Sequence, residues 1–356
     1  MKYIRIVVLG LVAAAAVVFQ FDIFGIQTAL QFLCVDPAAG VALAMAAIVA
    51  PFPVDPELTS IVVAYKNEKL IADQVAPRVP VGLQNFKYKK YSLADSFTIL
   101  ETRVGRTGAV NQVNFGFTEA DSSCEDHALD GLVPLVDIEN APAGYDPVAH
   151  QARSVMDLVL LDREKRVSDL IFNAANYADT NKVTLEGNSQ WTDPVNSDPV
   201  KAILDALDLM VMRANKMVIG QAVWTVLRQH PKVMKATNKN SGDSGAAARE
   251  AVAELLELDE IIVGSGWHNS AKPGQAVTKT RLWGKFCALI YQDAMASISD
   301  NRITFALTAQ FGNRVSGKIP DPKMGMRGGV LVRSGESVRE LITANDLGYL
   351  FSEAVA

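Results

Sequence analysis

The chain has 356 residues, of which 49 % are hydrophobic and 21 % charged: ample for one large domain or two, and too apolar for general disorder. A formal net charge of −5 excludes a protein whose main task is to neutralise nucleic-acid phosphates, while leaving room for a locally basic face. The three cysteines, Cys34, Cys124 and Cys287, are far apart and form no CxxC pair, so free thiols are expected and neither a disulfide framework nor a zinc site is suggested.

Residues 1–50 differ in composition from everything that follows. Lys2 and Arg5 precede a nearly unbroken apolar run to Phe21, and two further apolar patches follow. Three readings stand side by side: a targeting segment, although Phe19 to Phe21 make a poor cleavage site; synthesis from Met45, where ordinary soluble composition begins; or an apolar arm. The first of these carries an expectation of membrane contact.

From Pro51 to Gln84 the prolines at 51, 53, 56, 77 and 80 predict an extended arm with one short helix around Glu57 to Tyr65. Phe86 to Tyr91 and Val113 to Phe117 alternate in polarity and flank Gly105 and Gly108, which predicts a long antiparallel hairpin. Its lysines and tyrosines form a solvated face more readily than a nucleic-acid strip. A hairpin this polar has little to pack on in its own chain, and an intermolecular contact is expected. The acidic stretch that follows, including Glu125, Asp126 and His127, is expected to be a surface turn.

Asp146 to Tyr177 reads as one long helix, capped by Asp146 with Pro147 in its first turn. Ala152, Val155, Met156, Val159, Val167, Leu170, Ile171 and Ala174 recur at helical spacing, while Arg153, Asp157, Arg163, Glu164 and Asp169 are expected on the wet side. At 1.5 Å per residue this spine would be on the order of 45 Å long.

Further helices are expected over Asp198 to Arg213, Gln221 to Ala236 and Ala246 to Glu260, with a short buried strand at Lys216 to Gly220 and another from Ile261. Gly242 to Gly245 spells GDSG, the letters of a serine-protease nucleophile loop, but a helix follows at once and Ser244 is placed to cap it. Gly264 to Gln275 reads as an exposed loop, and no GxxxxGK[ST] occurs. Strands follow to the C-terminus, with turns at Asp300-Asn301, Gly325 to Gly329 and Gly335. These strands must pair with something earlier, most economically beside the long helix.

Laid out in this order, the chain from Pro51 to Ala356 resembles the major capsid proteins of tailed bacteriophages. The resemblance lies in PELTSIVVAYKNEKLIADQVAPRVPV, MVIGQAVWTVLRQHPKV and GESVRELITANDLGYLF as whole stretches. It implies an α+β, Hong Kong 97-like fold. Residues 51–85 would be an N-terminal arm and 86–130 an extended hairpin loop. Residues 131–195 with 316–356 would form a peripheral domain around the spine helix 146–177, and 196–315 an axial domain. The hydrophobic leader 1–50 departs from the charged helical segment usual in the family.

The implied function is mechanical, with neither active site nor cofactor. Copies assemble into pentamers and hexamers and close an icosahedral shell around double-stranded DNA, which is touched non-specifically. A portal and scaffold or decoration proteins are the other implied partners, with assembly in the host cytoplasm and residence in the virion. Lys87, Lys89 and Lys90 on the hairpin limb, and Arg103 and Arg106 near its tip, are the candidate intersubunit contacts. Two rival readings remain: an encapsulin-like shell around an enzyme, and a membrane-anchored or exported α/β enzyme.

Overall fold

The computed structural model describes residues 53–356 apart from 68, 92–98, 100, 107, 113–116, 238–244, 273, 294 and 296–302. The leader 1–50, the Val113 to Gly116 part of the expected strand, most of the GDSG motif and the Asp300-Asn301 turn lie outside the described residues.

The arm follows its prolines. Asp55 accepts hydrogen bonds from the Glu57 and Leu58 N–H groups, and Pro56 opens α1 (Pro56–Ala64). A four-residue turn, α2 (Ala72–Val75), leads past Pro77 into β1 (Arg78–Val81). Pro80 is tolerated there because β1 is an edge strand.

β2 (Asn85–Tyr91) pairs antiparallel with β3 (Phe117–Ser123), Tyr91 opposite Phe117 and Asn85 opposite Ser123. The described return limb contains Phe117, the end of the expected strand, and continues six residues beyond it. After buried Cys124 comes β4 (Glu125–Pro134), so Glu125, Asp126 and His127 lie in a strand rather than a turn. β4 is a mostly exposed edge strand, and its apolar alternation is correspondingly faint.

After α3 (Leu135–Glu139) comes the spine, α4 (Pro147–Ile171), capped by Asp146 as expected. It has 25 residues, roughly 37 Å at 1.5 Å each, and stops six residues short of Tyr177. The stop has a cause: the Tyr177 hydroxyl donates to the Ile171 carbonyl and Asn176 Nδ2 to that of Leu170, both at 2.7 Å, satisfying carbonyls that another turn would have used.

β5 (Lys182–Thr184) and α5 (Pro199–Leu209), capped by Asp198, precede the buried β6 (Lys216–Gly220). The single helix expected over Gln221 to Ala236 is two, α6 (Gln221–Leu227) and α7 (Pro231–Thr237), because Pro231 cannot continue a helix. Next comes α8 (Arg249–Leu255), with Ala248 rather than Ser244 at its N-cap. β7 (Glu260–Gly264) is followed by a hairpin, β8 (Trp267–Asn269) with β9 (Lys279–Arg281), where a loop was expected.

β10 (Cys287–Ile290), β11 (Ala306–Asp321), β12 (Gly329–Ile342) and β13 (Gly348–Ser352) complete the chain. Gly335 lies mid-strand in β12 and makes no turn. A Cβ there would stand 2.6 Å from the His127 carbonyl oxygen and from Ala128 Cβ, so this glycine admits a close approach of β4.

Two larger sheets result. One has the order β1-β11-β12-β4 and packs α4 against β12 and β4, with α1 over α4 and β11. The other has the order β5-β13-β10-β6-β7, covered on one face by α5, α6 and α8. Of the C-terminal strands β12 thus packs beside the spine, as expected, while the last strand joins the second sheet between β5 and β10. Among the described residues no helix is long and apolar enough to cross a membrane.

Candidate functional site

The strongest electrostatic feature is where the arm meets the spine. Arg163 and Glu164, expected on the wet side, are 1 % and 0 % exposed. Each lies four residues past a buried apolar position, Val159 and Leu160, so the apolar stripe runs through both. Asp157 is half-buried and accepts from Asn67 Nδ2 (2.7 Å), while Arg153 and Asp169 do face solvent.

Glu164 holds three donors. Oε1 accepts from the Ile71 N–H (2.9 Å) and Trp283 Nε1 (2.6 Å), and Oε2 from the Ala72 N–H (2.7 Å). One carboxylate thus ties arm, spine and the segment below β9. Burial pushes its pKa up, and the bonds from Ile71, Trp283 and Ala72 only partly oppose the shift. Arg163 donates to Asp73 (2.6 Å), to the Ala76 carbonyl (3.2 Å) and to Thr308 Oγ1 (3.0 Å).

Glu336 on β12 is buried between Arg78 (2.8 Å) and Arg314 (3.2 Å). Burial alone would raise its pKa, but the charges and hydrogen bonding of Arg78, with the charges of Arg163 and Arg314, hold it below the usual carboxylate value. Arg314 also donates to the Tyr65 carbonyl (3.1 Å), and Arg166 to Glu340 (3.1 Å). Residues 65–78 are therefore clamped by buried ions to α4, β11 and β12.

None of these groups is set up for catalysis. Ser197 Oγ lies 3.1 Å from His230 Nε2, a distance that suggests a nucleophile and base. However, His230 Nδ1 faces the Lys232 N–H (3.3 Å), which puts the ring proton on Nε2, and the serine donates to the Asp193 carbonyl (2.6 Å). The histidine has no lone pair left for the serine proton. In β4, Glu125 pairs with Arg339 and His127 Nδ1 with Arg166 (3.3 Å). Among the described residues no cluster of histidine, cysteine and carboxylate could hold a metal ion.

The β2–β3 hairpin is the second feature. Lys87 lies 3.4 Å from Glu119 and 3.9 Å from Asp121 across the strands, all three exposed. The Lys90 ammonium stands 5.7 Å from the Tyr88 ring, and Lys89 is opposite Glu119 in register. Beyond the strands Arg103 and Arg106 are exposed, as are Ile99 at 98 %, Val104 and Val110.

Comparison with known proteins decides the family. Over 307 residues the chain is 52 % identical to the major capsid protein of Pseudomonas phage JBD67, spanning 86 % of this chain and 99 % of that one. This chain belongs to the phage major capsid proteins. A family model described as phage major capsid protein E matches residues 171–302. Among solved structures, a phage-related protein from Bordetella bronchiseptica RB50 superposes with a TM-score of 0.68 at 22 % identity, over 85 % of this chain and 98 % of that one. The capsid of cyanophage P-SCSP1u gives a TM-score of 0.54 at 11 % identity, over 81 % and 89 %. The capsid protein accordingly has the α+β, Hong Kong 97-like fold.

The capsid protein is a structural component of the virion, not an enzyme, and it self-assembles into shells. Of its expected contact residues, the fold brings Lys87 and Lys90 onto one hairpin limb with Lys89, while Arg103 and Arg106 lie apart beyond the strands. The buried ion cluster was absent from the expectation. Its signal was charged residues at the helical spacing of the core stripe.

Proposed function

We propose that the capsid protein assembles into pentamers and hexamers that close an icosahedral head around the double-stranded DNA genome. In this reading residues 51–85 are the arm, 86–130 the extended loop, 131–195 with 316–356 the peripheral domain and 196–315 the axial domain. β13 links the last two by joining the sheet of β6, β7 and β10. The supporting observation is the β2–β3 hairpin, whose distal residues Ile99, Val104 and Val110 are exposed beside Arg103 and Arg106. Exposed apolar side chains with flanking cations suit a surface buried on a neighbouring copy, where Lys87, Lys89, Lys90, Arg103 and Arg106 supply polar contacts. Single exposed pairs contribute little, and the stability of a shell comes from repeating weak contacts around a closed lattice.

Portal, scaffold or decoration proteins complete the head, and assembly takes place in the host cytoplasm. Shortening the loop between Arg103 and Gly108 tests the reading. The variant is expected to keep the wild-type circular dichroism and unfolding midpoint while losing rings and shells by electron microscopy. Particles formed in wild-type yield and resistance to dissociation would count against the loop as an intersubunit element.

A further inference from the structure

From Ile261 to Gln292 the sequence holds no aspartate or glutamate but four cations, Lys272, Lys279, Arg281 and Lys285, in a chain of net charge −5. The structure gathers this stretch around the β8–β9 hairpin, which pairs Trp267 with Arg281 and Asn269 with Lys279. The hairpin is firmly built. Asn269 Oδ1 accepts from the Ala271 and Thr278 N–H groups, and Ser270 Oγ meets Thr280 Oγ1 at 2.8 Å. Its base is seated by Leu282 and Trp283, 4 % and 0 % exposed.

Among the described residues nothing covers its outer surface. Trp267 is 51 % exposed with the Arg281 guanidinium 4.2 Å from its ring centroid, and Val277, Lys272, Lys279 and Lys285 are exposed. Among the described residues none of the four cations has an ion-pair partner. The contrast with β2–β3 is direct. There Lys87 faces Glu119 and Asp121 across the strands, Lys89 is opposite Glu119 in register, and the Lys90 ammonium stands by the Tyr88 ring. Here comparable positive charge stands on a hydrogen-bonded hairpin with no acid among the described residues paired to it.

We propose that the β8–β9 hairpin is the surface through which the capsid protein contacts the backbone phosphates of duplex DNA; this rests on the reading that the shell encloses a genome. Lys272 and Lys279 on the hairpin and Lys285 just past its base act as hydrated point charges that favour any phosphate backbone and select no sequence. Only Arg281 offers the fork that fixes an acidic side chain of a protein partner, and its guanidinium lies over the Trp267 ring; the three lysines are point charges. Each copy binds weakly, and a shell multiplies the contact by its copy number. Arg281, held on the indole ring, has less freedom to lose on meeting a phosphate than a free arginine.

The test is fluorescence anisotropy of a short labelled duplex with the full-length protein across a salt series, comparing wild type with the triple variant Lys272→Ala, Lys279→Ala, Lys285→Ala. The variant is expected to lower the slope of log affinity against log salt by up to about 2.7, that is roughly 0.9 for each phosphate the protein no longer neutralises. Trp191, Trp224 and Trp283 are buried, so acrylamide quenching reports mainly Trp267, and duplex DNA is expected to shield it. An unchanged slope in a variant that still forms wild-type shells overturns the assignment and leaves the capsid reading standing. Tighter binding to poly-glutamate than to duplex at the same salt also overturns it, in favour of an acidic protein partner. A wild-type protein that neither assembles nor binds duplex overturns both.

Discussion

Replacing Glu164 with leucine is expected to destabilise the unassembled capsid protein by on the order of 3–6 kcal/mol. The substitution removes the acceptor for three buried donors, the Ile71 and Ala72 N–H groups and Trp283 Nε1. An orphaned buried donor costs about 1–3 kcal/mol, and the apolar area gained by leucine offsets only part of the sum. Glutamine with its oxygen in the Oε1 position keeps the Ile71 and Trp283 bonds and turns an N–H2 toward the Ala72 N–H alone, so it is expected to recover more than half of the loss. The arm should respond first. Ile71 and Ala72 open the short helix that seats residues 71–78, and trypsin should cut at Lys66 and Lys69 faster in Glu164→Leu than in wild type. Urea unfolding within about 0.5 kcal/mol of wild type, with an equally resistant arm, would show that Glu164 does not hold the arm.

The second large effect belongs to Glu336. Glutamine is nearly isosteric but leaves Arg78 and Arg314 facing a neutral side chain inside the sheet, with Arg163 close by. Removing one partner from a buried ionic cluster costs on the order of 3–5 kcal/mol, because the remaining charges stay desolvated. The pH dependence identifies the source. The Glu336 carboxyl is held below its ordinary value of 4.5, so its contribution is fully present above pH 4.5 and is lost as pH falls through the lower folded value. Asp73 behaves likewise: burial would raise it, but Arg163 and Arg78 hold it down.

Glu164 runs the other way. Its raised pKa means that its contribution is greatest below 4.5 and declines as pH rises through the folded value. Wild type is therefore expected to lose stability on acidification below about pH 4.5, and Glu336→Gln to start lower and fall less steeply. Equal loss in both proteins at every pH would place the acid sensitivity elsewhere.

What was legible in the sequence was local chemistry. Asp146 and Pro147 fix the start of the spine, Asp55 and Pro56 that of α1, and the prolines mark the arm; each acts on its immediate neighbours. The spine's end was hidden because it depends on Tyr177 and Asn176 folding back onto the Leu170 and Ile171 carbonyls. Charge alone assigns Arg163 and Glu164 to water, although helical periodicity places them on the core stripe. Their compensation comes from residues 71–78, Thr308 and Trp283, too distant in sequence for any local pattern to reveal. Gly335 shows the same limit. A mid-strand glycine and a turn glycine look alike until the neighbouring strand is in place.

The hairpin residues were legible in identity but not in partnership. Lys87 finds Glu119 and Asp121 in its own chain, so its intersubunit share is expected to be smaller than that of Arg103 and Arg106. In sequence the basic β8–β9 hairpin reads as a loop. Its strands have three residues each, and side-chain hydrogen bonds from Asn269 and Ser270 hold it more than β-propensity does.

The most direct test of the central claim is electron microscopy, with size-exclusion chromatography, of protein expressed from Met1 and separately from Met45. Uniform closed shells or capsomer rings from either are expected of a self-assembling head protein with this fold. A homogeneous monomer or dimer from both would contradict it.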